Sequence, residues 1–308
     1  MSSIKASEET GRPPALSSES VGWRATLRRL SVLFKSRVVA LLVLAAIGGA
    51  FLGAGGWPGV GTMLLVIVTG WSAASGSAAL NEYLEQEPDS IMARTRARPL
   101  VLGEIQPRWV LWVGIGLIVV PSLVVLPFNQ ALSFFLIAGA FIYVVIYTIW
   151  LKPRTHLNIV IGGAAGSAAV LSGGAAAGAW QDPAVLALAA MLFLWTPSHF
   201  WSLAILYRND YAKANVPMLP VNSTPKQAAW WVFLHTGAAA FVALLMVVTP
   251  NLGLVYFIPV LVASAFMIYR NIELIREPGP QNARVLFVSS NIYLMVVLLA
   301  ISLASVLS

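Results

Sequence analysis

Between about residues 38 and 307 the chain alternates long apolar blocks with short polar breaks. Each block is close to the roughly 20 residues that a helix needs to cross a bilayer. The pattern predicts nine such helices, over about 38–56, 60–83, 109–127, 130–149, 157–178, 184–206, 228–248, 252–270 and 285–307. The blocks are continuous rather than alternating ten-residue segments, which argues against a membrane β-barrel. In lipid, helices that satisfy their own backbone groups are then what remains. The expected fold is therefore all-α, a polytopic membrane protein with a bundle of nine transmembrane helices over residues 26–308. Residues 1–25, rich in Ser, Glu, Pro and Arg, are expected to form a disordered tail.

The polar breaks are of two kinds. Those at 56–59, 127–130, 179–183 and 249–252 are short and almost free of charge, whereas those on the other face are longer, above all 84–108 and 207–227. Both long breaks follow even-numbered helices, the second and the sixth, which suggests two four-helix halves plus a ninth helix. The fifth span is crowded with small residues, among them Gly162, Gly163, Gly166, Gly173 and Gly174. That stripe fits either close helix packing in lipid or a slot for a flat ligand.

Charge sharpens this picture. All 19 Lys and Arg residues lie on the face of the N-terminal segment and the longer breaks, in those segments or at the span ends beside them, and so do all 12 acids except Asp182. A net charge of +7 on a soluble protein would suggest nucleic acid. Here it is positive-inside bias, so no nucleic acid partner is expected and the charged face is expected in the cytoplasm. The N-terminus lies on that side. The site is the cell membrane, or the mitochondrial inner membrane if the source is eukaryotic, with membrane lipids as the surroundings. A secretory signal is not expected, because the first apolar block begins only after Arg37. With no cysteine, disulfides, iron–sulfur clusters and thiolate chemistry are excluded.

More charge gathers on one face than orientation requires. Asn81, Glu85 and Asp89 are spaced by four, so on an ideal helix they drift only about 80° and share a face. Oxygen donors at the mouth of a bundle suit a hard cation such as Mg²⁺, which takes one or two carboxylates and fills its shell with water and phosphate oxygens. Arg94, just beyond, supplies a fork that matches phosphate. Glu82, Glu87, Arg96 and Arg108 read instead as helix-end and headgroup charges. Pro88 lacks an N–H and clashes with the carbonyl four residues back, so the helix should stop or kink near 84–87. The second long break again joins acid and base, with Asp210 a candidate metal ligand and Arg208 and Lys213 candidate phosphate partners. His199 stands 11 residues before Asp210, about 16 Å deeper along a helix. An ionisable group at that depth is a functional candidate, against the alternative of an imidazole bonded to a neighbouring helix.

Four segments together carry a resemblance. They are Asn81-x3-Glu85-x3-Asp89, Met92-x-Arg94-Thr95-x2-Arg98-Pro99-Leu100, Lys152-x-Arg154-Thr155-x2-Asn158, and His199-Phe200-Trp201 with Asp210-Tyr211 and Pro217-Met218-Leu219-Pro220. The chain resembles the UbiA superfamily of intramembrane prenyltransferases over roughly residues 25–305, and within it the branch that farnesylates protohaem IX.

The resemblance implies a nine-helix, Mg²⁺-dependent transferase that joins the farnesyl group of farnesyl diphosphate to a vinyl group of haem b, giving haem O. By position it implies Asn81, Glu85, Asp89 and Asp210 as metal ligands, with Arg94 among the catalytic groups. Arg37, Arg94, Lys152, Arg154, Arg208 and Lys213 become diphosphate partners, and His199 a candidate haem contact. Haem A synthase or the oxidase assembly machinery would be partners downstream. The chain departs from the family pattern at Glu85, where Asp is usual, at Gln86-Glu87-Pro88, which replaces an Arg-Asp-Ile run, and at Tyr207…Asp210-Tyr211, where other branches pair acids. Two alternatives stand beside this reading: a UbiA-type transferase of the same fold with a quinone-precursor or chlorophyll-type acceptor, and, in view of Gln86 and Pro88, a catalytically impaired haem-binding relative.

Overall fold

The computed structural model describes residues 22–307. Of the segment 1–25 expected as a disordered tail, residues 1–21 lie outside the described part, and Trp23–Ala25 begin a helix. That helix, α1 (Trp23–Leu33), buries Leu33 and leaves Trp23 and Leu27 exposed. Arg29 ties it to Glu104 in the first long break at 2.9 Å.

Thirteen more α-helices follow in order, and nine of the helical segments among the described residues are long and apolar enough to cross a membrane. The spans are α2 (Ser36–Ala54), α3 (Val60–Leu84), α5 (Pro107–Val125), α6 (Gln130–Phe141) running on as a π-helix to Leu151, α7 and α8 together (Asn158–Gly162, Ala164–Ala176), α9 (Pro183–Leu206), α12 (Pro225–Leu245) with a 3-10 turn to Val248, α13 (Gly253–Arg276) and α14 (Pro280–Leu307). Short helices α4 (Gln86–Ile91), α10 (Arg208–Lys213) and α11 (Leu219–Asn222) occupy the two long breaks. The chain is a multi-pass membrane protein, and its lipid-facing surface carries side chains such as Trp112, Phe128 and Leu254.

Local chemistry sets the helix ends. Pro107, Pro183 and Pro225 open α5, α9 and α12 at a position where a missing N–H costs nothing. Asn129 and Asp182 cap α6 and α9 by accepting from Leu132 N and Ala184 N at 2.9 and 2.8 Å. Asp182, the lone acid of the uncharged face, is thus an N-cap. Thr224 and Gln227 form a reciprocal capping box at the start of α12. The predicted boundaries agree to within a turn, except that α13 and α14 reach further toward the charged face, enclosing Arg276 and starting at Pro280.

Each span packs on its neighbours in sequence, and α14 closes the ring against α2. The helices α2, α3, α5, α6 and α8 form one group and α9, α12, α13 and α14 the other. The spans therefore divide five and four, with the ninth packed inside the second group. Of the two readings of the fifth span's small residues, close packing is what the structure has. A Cβ on Gly173 would run into the backbone of Ala46, and one on Gly49 into the carbonyl of Val170, so α2 and α8 meet backbone to backbone.

Candidate active site

The charged end of the bundle is built around the break between α3 and α4. α3 stops at Leu84, as Pro88 requires, and Glu85 takes a non-helical conformation between the two helices. The backbone nevertheless keeps step. Glu85 N bonds Asn81 O at 3.0 Å and Asp89 N bonds Glu85 O at 2.9 Å. Asn81, Glu85 and Asp89 therefore remain on one face across the break, and all three are buried. Thr95, also buried, donates its hydroxyl to the carbonyl of Asp89 at 3.0 Å and folds the following loop back over the site.

Each of these oxygen donors meets a cation. Lys35 Nζ donates to Asn81 Oδ1 at 2.5 Å and to the Tyr143 hydroxyl at 3.3 Å. Lys152 Nζ pairs with Glu85 Oε1 at 2.5 Å. Arg98 pairs with Asp89 and also lies 3.4 Å from Glu82. Asn81 Nδ2 donates to Thr148 Oγ1 at 2.9 Å. The wider π-helical turn of 142–151 presents Tyr143, Tyr147 and Thr148 here, with the two tyrosine rings stacked 5.6 Å apart. Such π segments recur at functional sites.

Burial strengthens these pairings by removing competing water. Burial raises the Glu85 carboxyl, but Lys152 and Lys35 outweigh it and hold the group below its usual range. Burial lowers Lys152, and Glu85 more than restores it, leaving it above the ordinary lysine value. Lys35 has less compensation. Burial and then the charge of Arg98 bring it down to about 8. Arg98 is raised, its burial offset by Glu82 and Asp89.

The donor set is oxygen only, as a hard divalent cation prefers. Among the described residues no three acids or histidines stand grouped as a ready metal cage, and Lys35, Lys152 and Arg98 each engage one of the donors. Both carboxylate oxygens of Glu82 are buried without a hydrogen-bond donor. A buried carboxylate in that condition is under-satisfied, and together with Asn81, Glu85 and Asp89 it fits a site for a bound cation.

The remaining sequence candidates fall into three groups. Arg94 comes to the second loop, its guanidinium carbon 5.7 Å from the Tyr207 ring. Arg37 and Lys213 are exposed, and Asp210 is half-buried at the start of α10. Arg154 and Arg208 are turned elsewhere: Arg154 donates to the carbonyls of Ile149 and Trp150, and Arg208 to that of Ser223. Three residues at the heart of the cluster were not among the candidates. Arg98 enters the sequence reading only as part of the Arg94-to-Leu100 segment. Glu82 reads along the chain as a helix-end charge, yet seven residues before Asp89 it lies within about 20° of it on a helix, closer than Asn81 does. Lys35 had no local signal, since it reaches Asn81 across 46 positions.

Deeper in the bundle His199 is buried between two rings. Trp195 stacks on it at 4.4 Å and Phe287 at 4.5 Å. Its Nδ1 lies 2.7 Å from Ser290 Oγ on α14.

Residues 41–302 match the model of the UbiA prenyltransferase family. A relative from Metallosphaera sedula named protoheme IX farnesyltransferase is 39% identical over 88% of this chain and 94% of its own length. One of the same name from Sulfurisphaera tokodaii is 40% identical over 87% and 90%. Among solved structures, a digeranylgeranylglyceryl phosphate synthase superposes with a TM-score of 0.75 at 18% identity, over 92% of this chain and 99% of that one. A UbiA homologue from Archaeoglobus fulgidus bound to DMAPP and Mg²⁺ gives 0.62 at 15% identity, over 89% and 99%.

Proposed function

The chain belongs to the UbiA prenyltransferase family, and we propose that it transfers the farnesyl group of farnesyl diphosphate to a vinyl group of protohaem IX (haem b) to give haem O. The observation that carries the reading is the buried row of oxygen donors, Asn81, Glu85 and Asp89, each held by its own cation at the charged mouth. The choice of acceptor is supported by relatives of that name matched over nearly their whole length.

Bound Mg²⁺, held by Asn81, Glu85 and Asp89 with Glu82 beside them, would supply the Lewis-acid charge that a departing diphosphate needs. The cations now resting on those donors, Lys35, Lys152 and Arg98, are the charges that meet the phosphate oxygens. Arg94 joins them from the loop, and Arg37 and Lys213 are free at the surface to contribute. Fixed charges in a poorly hydrated site act far more strongly than the same groups in water. The allylic C–O bond breaks with its electron pair leaving on diphosphate. A carbon–carbon bond forms to the terminal vinyl carbon of the porphyrin, and water gives the adjacent carbon its hydroxyl while a proton is released. Apolar spans around the isoprenoid chain delay that water until the carbon–carbon bond exists. In this reading the mouth faces the cytoplasm, which the one-sided distribution of Lys and Arg supports.

The test is to supply membranes containing the chain with haem b and farnesyl diphosphate and to look for haem O by mass spectrometry. A product heavier than haem b by one farnesyl group and one hydroxyl group is expected, and its absence from active membranes refutes the reading.

A further inference from the structure

The first helix, α1, is amphipathic, and the bundle covers only one end of its apolar stripe. On an ideal helix Trp23, Leu27, Leu30 and Phe34 fall within about 60° of one another, with Arg24 and Arg28 roughly 100–140° round from Trp23. The C-terminal end of the stripe is packed. Leu33, beside it, is the one buried residue of α1, and with Phe34 it joins Ala79, Leu100 and Val110. The N-terminal end is bare, with Trp23 and Leu27 69% and 55% exposed. Arg24 and Arg28 are exposed too, and among the described residues neither pairs with an acid. Arg24 lies over the Trp23 ring, 5.6 Å from its centre, in a first turn that holds no acid. A helix dipole disfavours a cation there, and an anion from outside the chain relieves it.

Neighbouring helices show what lies at this height. Trp109 near the start of α5, and Trp230 and Trp231 near the start of α12, are half-exposed at the charged end of the bundle. Tryptophans so placed mark the boundary between headgroups and acyl chains. α1 stands directly against this belt. Thr26, Arg29 and Leu30 share with Gln106 and Trp109 a cavity of about 320 Å³, and the Arg29–Glu104 pair forms part of its wall. A helix with Trp and Leu on one side and arginine on the other, at the level of such a belt, fits the surface of an anionic bilayer.

We infer that α1 docks on the anionic lipid surface around the mouth, and that this docking holds the joint that places Lys35 on Asn81. Trp23 and Leu27 enter the acyl boundary, and Arg24 and Arg28 meet anionic headgroups. α1 ends at Leu33, and only Phe34 and the left-handed Lys35 separate it from α2. Fixing α1 in the interface therefore restrains the residue whose Nζ bonds Asn81 Oδ1. The lipid surface becomes part of what shapes the mouth. This second step rests on the reading of Lys35 as a diphosphate partner, whereas the docking does not.

The chain has no cysteine, so a single introduced cysteine takes a spin label at one place. Trp23→Cys, Leu27→Cys and Arg28→Cys are labelled in the full chain, in nanodiscs of phosphatidylcholine alone or mixed with phosphatidylglycerol. Collisions with oxygen and with a water-soluble nickel chelate report depth. In mixed discs the labels at positions 23 and 27 should meet oxygen and escape nickel, and the label at 28 should do the reverse. In neutral discs that contrast should shrink. Labels at 23 and 27 as open to nickel as the one at 28 overturn the docking, and equal depths in both lipids overturn the preference for anionic lipid. Dipolar broadening in liposomes would put a second copy on this face, and nickel access gained on removing residues 2–21 would put the N-terminal segment there; either result overturns the lipid assignment.

The link to Lys35 is read by calorimetry with farnesyl diphosphate and Mg²⁺, without an acceptor. The wild type should bind roughly tenfold more tightly in mixed discs than in neutral ones, less than the full attraction of two arginines to an anionic surface. The double variant Arg24→Gln, Arg28→Gln should lose that dependence. Lys35→Met should bind weakly and equally in both lipids. Wild-type affinity that ignores lipid while the labels stay docked overturns the link and leaves the docking standing. No binding of farnesyl diphosphate in either lipid overturns the substrate reading instead.

Discussion

Lys35 Nζ sits 2.5 Å from Asn81 Oδ1, so the cation at the joint between α1 and α2 rests on the first oxygen donor of α3. Lys35 adopts a left-handed backbone (φ 48°) to do so, a conformation that costs a non-glycine residue about 1–2 kcal/mol. The joint turns the side chain inward, next to the stacked tyrosines of the π-helical turn.

Lys35→Met removes a charge-assisted contact worth about 2 kcal/mol. If Lys35 serves the diphosphate, kcat/KM for farnesyl diphosphate should fall roughly thirtyfold, mainly through KM. Steady-state haem O formation at varied farnesyl diphosphate measures this, and an unchanged KM would remove Lys35 from the site.

Glu82 and Glu87 make a matched pair of tests. Glu82 is buried with both oxygens lacking donors, and Glu87 is exposed. Glu82→Gln should raise the Mg²⁺ concentration needed for half-maximal rate by roughly tenfold or more, the scale of one contact to a buried charge. Glu87→Gln should stay within about twofold, as exposed charges generally do. Equal effects would mean that the burial of Glu82 has no bearing on the cation.

The two arginines of the sequence motifs should separate. Arg94 bridges the first long break to Tyr207 in the second, whereas Arg154 caps its own helix end through two carbonyls. Arg94→Ala should reduce kcat/KM by roughly tenfold, the scale of a charged contact to phosphate. Arg154→Ala should alter activity by less than about threefold and act on stability instead. The reverse order, seen in the same assay, would place Arg154 on the substrate.

Packing of the fifth span can be tested without activity. Gly173→Ala forces a Cβ into the backbone of Ala46, which neither helix can relieve by a rotamer change, and should cost about 1–3 kcal/mol. At Gly237, in α12, the same change meets open space and should be neutral or gain up to about 1 kcal/mol. Thermal unfolding in one detergent compares them, and a lower melting temperature for Gly237→Ala than for Gly173→Ala contradicts the close contact of α2 and α8.

Much of this was legible along the chain because lipid imposes it. Continuous apolar blocks mark spans, and Pro88 marks the end of α3. The grouping of Asn81, Glu85 and Asp89 follows from helical spacing, which survives the break because two i to i−4 bonds cross it. What spacing cannot reveal is which cation each donor meets. Lys35 and Lys152 lie 46 and 67 positions from Asn81 and Glu85, and only the closure of the bundle joins them. The same holds for His199, whose partner Ser290 is 91 residues away on the last span. Glu82 was within reach of helical arithmetic, and its place at the end of a span gave it the look of a headgroup charge.

The proposed farnesyl transfer to haem b depends on the cluster at the mouth and on a divalent cation. The most direct measurement uses the purified chain in nanodiscs with haem b and farnesyl diphosphate, and follows haem O and released diphosphate together. The account predicts both products in equal amounts with Mg²⁺, neither after EDTA, recovery when Mg²⁺ is restored, and a severe loss in Asp89→Asn. No haem O with Mg²⁺ supplied, in a preparation that instead prenylates a hydroxybenzoate acceptor, would contradict it.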